Sequence, residues 1–162
     1  MPDCYSLFYI RFIQNIPKTE TASYQTLSQT QTWKTWTGYA YENICLLHIH
    51  NIKASLGIAG VQTSQYSFMA KATDEYEGAQ IDMLIDRNDN VINICEIKFY
   101  NEEMVLTKVD AENIRKKKSI FKFITKTKKQ IFVTLITTFG MHQSKNTLGL
   151  IDNVLTVDSL FE

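Results

Sequence analysis

Apolar positions along the chain follow two periods. Over residues 37–56, Tyr41, Ile44, Cys45, His48, Ile52 and Leu56 recur every three or four residues, the spacing that lines one face of a helix. Thr37 is placed to cap its start and Gly57 to end it. The period then shortens to two. One strand is expected around residues 60–70, followed by a polar turn at 74–78. Residues 79–87 and 91–100 alternate on either side of Asn88-Asp89-Asn90, a hairpin signature. Residues 111–126 return to helical spacing, with Ile114, Ile120, Phe121 and Ile124 opposite a dense Lys/Arg face. QIFVTLITT, at 130–138, is a β-type run, and 154–157 predicts one more short strand. The order helix, three strands, helix, strand, short strand argues for α/β architecture with a mixed sheet flanked by helices.

The beginning of the chain is different in kind. Residues 4–14, CYSLFYIRFIQ, are dense in aromatics and fit a helix or strand docked on a core. Tyr5, Phe8, Tyr9 and Phe12 either fill this core or mark a docking surface for a further domain or a second copy. In residues 18–32, 10 of 15 are Ser, Thr or Gln, which reads as a linker. Trp33 and Trp36 then open the main body. At 162 residues, 44% hydrophobic and 21% charged, the chain is one folded domain with a short appendage. Its 17 basic and 17 acidic residues cancel. That excludes a uniformly basic nucleic-acid binder but not a locally basic face.

No apolar run approaches the roughly 20 residues of a membrane span. The apolar start contains Arg11 and lacks a basic leader and cleavage site, so no signal peptide is expected. Cys4, Cys45 and Cys95 are odd in number and unpaired in spacing, as in reduced thiols of a cytoplasmic protein. Neither Cys nor His spacing fits zinc. His48, His50 and His142 are scattered and read as structural.

The hairpin carries the candidate chemistry. Side chains alternate faces along a strand. A symmetric three-residue loop at 88–90 pairs residue 86 with 92, 84 with 94, 82 with 96 and 80 with 98. Asp82 then opposes Glu96, and Gln80 opposes Lys98. Ile81, Met83, Ile85, Cys95, Ile97 and Phe99 are expected on the other face, beneath the helices. Directly opposed carboxylates repel, and a divalent cation removes that repulsion. Mg²⁺ favours oxygen ligands and can activate water or polarise a phosphoryl oxygen. Lys98 is placed to orient water or steady charge on phosphorus. Asp86 is expected to serve the turn.

Glu96-Ile97-Lys98, preceded by Asp82, resembles the motif of the PD-(D/E)XK nuclease superfamily. WTGYAYENICLLHI, IKASLGIAGV, GAQIDMLIDR and INICEIKF are similar to the nuclease-like C-terminal domain of a class of prokaryotic P-loop ATPases. The likeness runs from about Trp33 onward. It implies a restriction-endonuclease-like αβββαβ core over residues 33–162. Residues 1–32 are then the remnant of a junction to a missing domain. It further implies Asp82, Glu96 and the Ile97 carbonyl as ligands of Mg²⁺ or Mn²⁺ and Lys98 as the catalytic lysine. Glu42 would be a helix-borne accessory ligand, and Gln80 a contact from the neighbouring strand. Two departures stand out: no G-x-x-x-x-G-K-[ST] occurs, and Ile81 stands where the motif name has Pro.

Arg115, Lys116, Lys117, Lys118 and Lys122 lie beyond the hairpin, with Lys126, Lys128 and Lys129 following. They read either as phosphate-backbone contacts or as a solvated helix face. The sequence therefore carries a primary expectation, metal-dependent hydrolysis of nucleic-acid phosphodiesters, with DNA favoured by family analogy. The alternative is a catalytically silent interaction or regulatory module of a P-loop ATPase, with a homodimer as one form. A gene remnant without independent role is the third.

Overall fold

The computed structural model describes residues 3–14, 24–145 and 147–161. Five strands form a mixed sheet in the order β1-β2-β3-β5-β7. They are β1 (Thr63–Ala70), β2 (Ala79–Arg87), β3 (Val91–Lys98), β5 (Gln130–Thr137) and β7 (Asn153–Leu155). The first three run antiparallel; β3, β5 and β7 run parallel. A two-stranded parallel pair, β4 (Met104–Val105) with β6 (Met141–His142), was not expected from the sequence.

The helices sandwich this sheet. On one face lie α3 (Gln31–Leu47) and α4 (Ile49–Ser55). Their Tyr41, Cys45 and Ile52 pack on Met83, Ile85, Cys95, Ile97 and Ile136. On the other face α5 (Lys108–Thr125) packs in two places. Ala111 and Ile114 meet Leu106, Val133 and Leu135. Phe121 meets Ile81, Leu84, Ile92 and Ile94. The α/β expectation of a mixed sheet between helices therefore holds.

Several boundaries differ from the sequence reading. The first long helix starts six residues earlier than Thr37. Its cap is Thr30, whose hydroxyl accepts from the Trp33 N–H at 3.2 Å. Thr37 instead lies inside the helix and donates to the Trp33 and Lys34 carbonyls. The cause is tertiary: the extra turns bring Trp33 and Trp36 onto Phe8 and Phe12, with ring centroids 5.3–5.9 Å apart. Those partners belong to α1 (Cys4–Phe8) and a π-helical turn, Tyr9–Ile13. Phe12 is buried, whereas Tyr5 and Tyr9 are exposed. The stretch read as a linker contains α2 (Tyr24–Ser28); its residues 18–23 lie outside the described residues. The single helix expected over 37–56 is interrupted at His48 (φ −100°, ψ 23°). Gly57 takes φ +69° just past its end, the left-handed geometry expected of a terminator.

Near the turn the hairpin register is the expected one, with Asp86 paired with Ile92, Leu84 with Ile94 and Met83 with Cys95, but the ladder ends there and does not include the expected pairs 82–96 and 80–98. Asn90 adopts φ 64° in the connecting loop. Beyond Met83 the strand is irregular. Tyr66 of β1 opposes Leu84, but Phe68 opposes Ile81. Two residues of β2, Asp82 and Met83, thus face one of β1. Such a bulge re-aims side chains. Ile81 consequently joins the α5 face instead of lying with Met83 and Ile85, and Phe99, at the strand's end, is exposed.

Candidate active site

Glu96 projects from β3 toward α5 and is only 5% exposed. A buried carboxylate is costly unless paired, and two lysines pair with it. Lys98 Nζ lies 2.9 Å from Glu96 Oε1. Lys117 Nζ, from α5, lies 2.9 Å from Oε1 and 2.7 Å from Oε2. Asp82 sits at the bulge, where the β2–β3 ladder ends. Its Oδ2 accepts a long hydrogen bond, 3.4 Å, from the Ile97 N–H.

Electrostatics links Glu42 of α3 to this group. Burial raises the Glu42 carboxyl above its ordinary value, and the charges of Asp82 and Glu96 add to the rise. Burial likewise raises Asp82, with Glu96 reinforcing it. Lys98 moves toward stronger proton retention. Burial opposes this, but the charge and hydrogen bond of Glu96, then the charge of Asp82, outweigh it. The strand end thus carries a lysine that holds its proton firmly, with two carboxyls nearby, Glu42 and Asp82, that burial raises.

A cavity of about 200 Å³ opens at this point. Gln80, Glu96, Lys98 and Lys117 line it, over a floor of Met104, Leu106 and Ile114. Met104 of β4 contributes to that floor, and its N–H donates to the carbonyl of Gly140, just before β6, at 3.0 Å. Gln80 and Lys98 therefore share a hollow, although the β2–β3 ladder ends before them.

The basic segment divides. Lys117, expected among the phosphate-contacting lysines, is instead turned onto Glu96. Lys116 pairs with Glu77. Lys129 pairs with Asp86 at 2.5 Å and donates to the Arg87 carbonyl, so Asp86 ties the hairpin to the start of β5 as well as lying near its turn. Arg115 and Lys122 are exposed, and Lys118 and Lys122 line a separate shallow basin. The role of Lys117 escaped the sequence reading because its partner is 21 positions away. Its helical phase was the available signal: with Ile114 and Phe121 buried, 117 falls at i+3 and i−4 on the inward stripe.

Glu42, Asp82 and Glu96 are hard oxygen donors of the type Mg²⁺ or Mn²⁺ takes. Among the described residues, however, no three His, Cys, Asp or Glu side chains are grouped as a ready metal site. Both Glu96 oxygens are engaged by Lys117, so a cation there would replace an ammonium already in position. The donor set fits a divalent cation in kind, on condition that Lys117 withdraws. No protein-family model, curated protein or solved structure matches the chain.

Proposed function

We propose that this chain is a phosphodiesterase acting on nucleic acid, DNA in the first instance, on a restriction-endonuclease-like version of the α/β fold. The observation that carries the reading is Glu96, buried between Lys98 and Lys117 beside Asp82, at the mouth of a cavity. A fold with no chemistry to perform has little reason to bury an anion that two lysines must neutralise. In this reading Asp82, Glu96, the Ile97 carbonyl and Glu42 hold Mg²⁺ or Mn²⁺. When bound, the metal supplies a polarised phosphoryl oxygen and a more acidic water. Lys98, 40% exposed at its side chain, reaches solvent and donates to a non-bridging phosphate oxygen as negative charge grows there. Gln80 offers an amide donor from the cavity wall. Lys117 neutralises Glu96, and its ammonium would be free to contact phosphate if a cation replaced it there.

The test is cleavage of labelled oligonucleotides with Mn²⁺ or Mg²⁺ by wild type, Lys98→Ala and Asp82→Asn, each checked for native melting. Cleavage by wild type and its loss in both variants is the expected result. Equal cleavage by all three, or none by wild type under any metal, overturns the reading.

One observation favours a second reading, a silent interaction module of a P-loop ATPase or of a homodimer. Lys117 completes the neutralisation of Glu96 without any metal, as a retired site would. Thermal melting with EDTA and Mg²⁺ separates the two. A metal held at 100 times its dissociation constant stabilises by about 2.7 kcal/mol. The active reading expects that gain in wild type and its loss in Asp82→Asn; the silent reading expects no gain.

A further inference from the structure

Strand β3, which carries Glu96 and Lys98, ends at the lysine-lined cavity. The residues that follow it, Phe99, Tyr100 and Asn101, line a second cleft of about 270 Å³ together with Trp33, Lys34 and Thr37 of α3. Lys98 lines the first hollow, on the α5 face, and Phe99 the second, on the α3 face, so the two open on opposite sides of the sheet and approach each other at its end, at consecutive residues.

The Phe99 and Trp33 rings of this cleft are held by other rings, Tyr100 is anchored by its backbone, and Phe99 and Tyr100 are open to solvent. Phe99 is 38% exposed and Tyr100 is 40% exposed. Phe99 meets the Tyr41 ring edge-on at 5.8 Å. The Tyr41 hydroxyl in turn donates to the Thr137 carbonyl at 2.8 Å. The Tyr100 N–H donates to Thr138 Oγ1 at 3.0 Å. Trp33 is fixed by Phe8, Phe12 and Trp36. Fixed rings lose little conformational entropy when a ligand stacks on them.

A nucleic-acid strand that crosses the end of β3 would meet both hollows, phosphate against the lysines on the α5 side and base against the rings on the α3 side. A duplex keeps its base faces stacked internally and presents phosphates and groove edges, which would leave the rings unused. Resting on the phosphodiesterase reading, we propose that the substrate is single-stranded, with a base next to the scissile phosphate stacked in the Trp33–Phe99–Tyr100 cleft.

The test is fluorescence anisotropy of a labelled 12-nucleotide single strand, of the order of one binding-site length, and of its blunt duplex. Both are measured in EDTA at one fixed salt concentration, so that no metal-dependent cleavage intervenes. The single strand is expected to bind about tenfold more tightly. Tyr100→Ala is expected to weaken it by about tenfold and to leave duplex binding unchanged. Phe99→Leu, which keeps an apolar contact for Tyr41, guards against a folding defect and is expected to act in the same direction. Duplex binding as tight as single-strand binding, or an equal loss for both ligands in Tyr100→Ala, overturns the proposal. The two readings fail separately. Ring-dependent single-strand binding without cleavage under any metal removes the phosphodiesterase and leaves the cleft. Cleavage of duplex indifferent to Tyr100 does the reverse.

Discussion

Glu96 and Asp82 reach the same strand end by different compensations. Glu96 is taken almost wholly out of water and is balanced by two ammonium groups. Asp82 has one long backbone hydrogen bond, and Glu42 lies on the facing helix. Burial and neighbouring anions hold both of these carboxyls above the usual range. The consequence for stability has a definite sign. As pH rises, the unfolded chain releases these protons first, so the folded form binds more protons and loses stability. The loss begins in the ordinary carboxylate range and is complete above the raised folded values. In EDTA, wild-type melting temperature should therefore fall across that window, and Glu42→Gln or Asp82→Asn should flatten the fall and melt higher at neutral pH. A steeper fall in the variants would show that the carboxylates are compensated. Glu96→Gln should act oppositely, because it leaves Lys117 half-buried without its anion.

The elements that present these residues are stabilised locally to different degrees. The start of α5, which delivers Lys117, is closed by a reciprocal capping box. Asp110 N–H donates to Thr107 Oγ1 at 3.2 Å, and Thr107 N–H donates to Asp110 Oδ2 at 3.0 Å. Replacing Thr107 by Ala should cost about 1 kcal/mol, or roughly 2–4 °C in a domain of this size. Differential scanning calorimetry measures it, and a change of a few tenths of a degree would mean the cap is replaced by water. The hairpin needs no such device. Alternation and loop length set its register, which is why the pairing of 84 with 94 and 86 with 92 was legible in the sequence. The bulge at Asp82–Met83 was not legible. It depends on how β1 meets β2 from outside the hairpin, and it decides that Ile81 faces α5. The start of α3 was hidden for a similar reason. Its Ser/Thr/Gln-rich residues show no apolar period, and the turns from Gln31 are held by rings arriving from residues 8 and 12.

Across the whole molecule, the core closes over two of the three thiols. Cys45 and Cys95 are fully buried; burial pushes Cys45 up to about 12 and raises Cys95 as well. Cys4, in the N-terminal helix, is only partly covered. A thiol reagent should label one cysteine of the native protein quickly and the other two at the rate of global opening. Rapid labelling of two or three would mean that α3 leaves the sheet readily. At this scale the division between sequence and tertiary structure is physical. The order of the five sheet strands and the two long helical regions, the helix and strand periods, the hairpin register near its turn and the closeness of Lys98 to Glu96 were readable, because each depends on residues near one another along the chain. The β4–β6 pair, the ring cluster at the start of α3 and the pairing of Lys117 with Glu96 depend on segments distant in sequence. A two-residue strand has no period to detect, and helical phase puts Lys117 on the inward stripe of α5 without naming the partner it meets there. Only the folded sheet, by burying Glu96 against α5, decided what that partner would be.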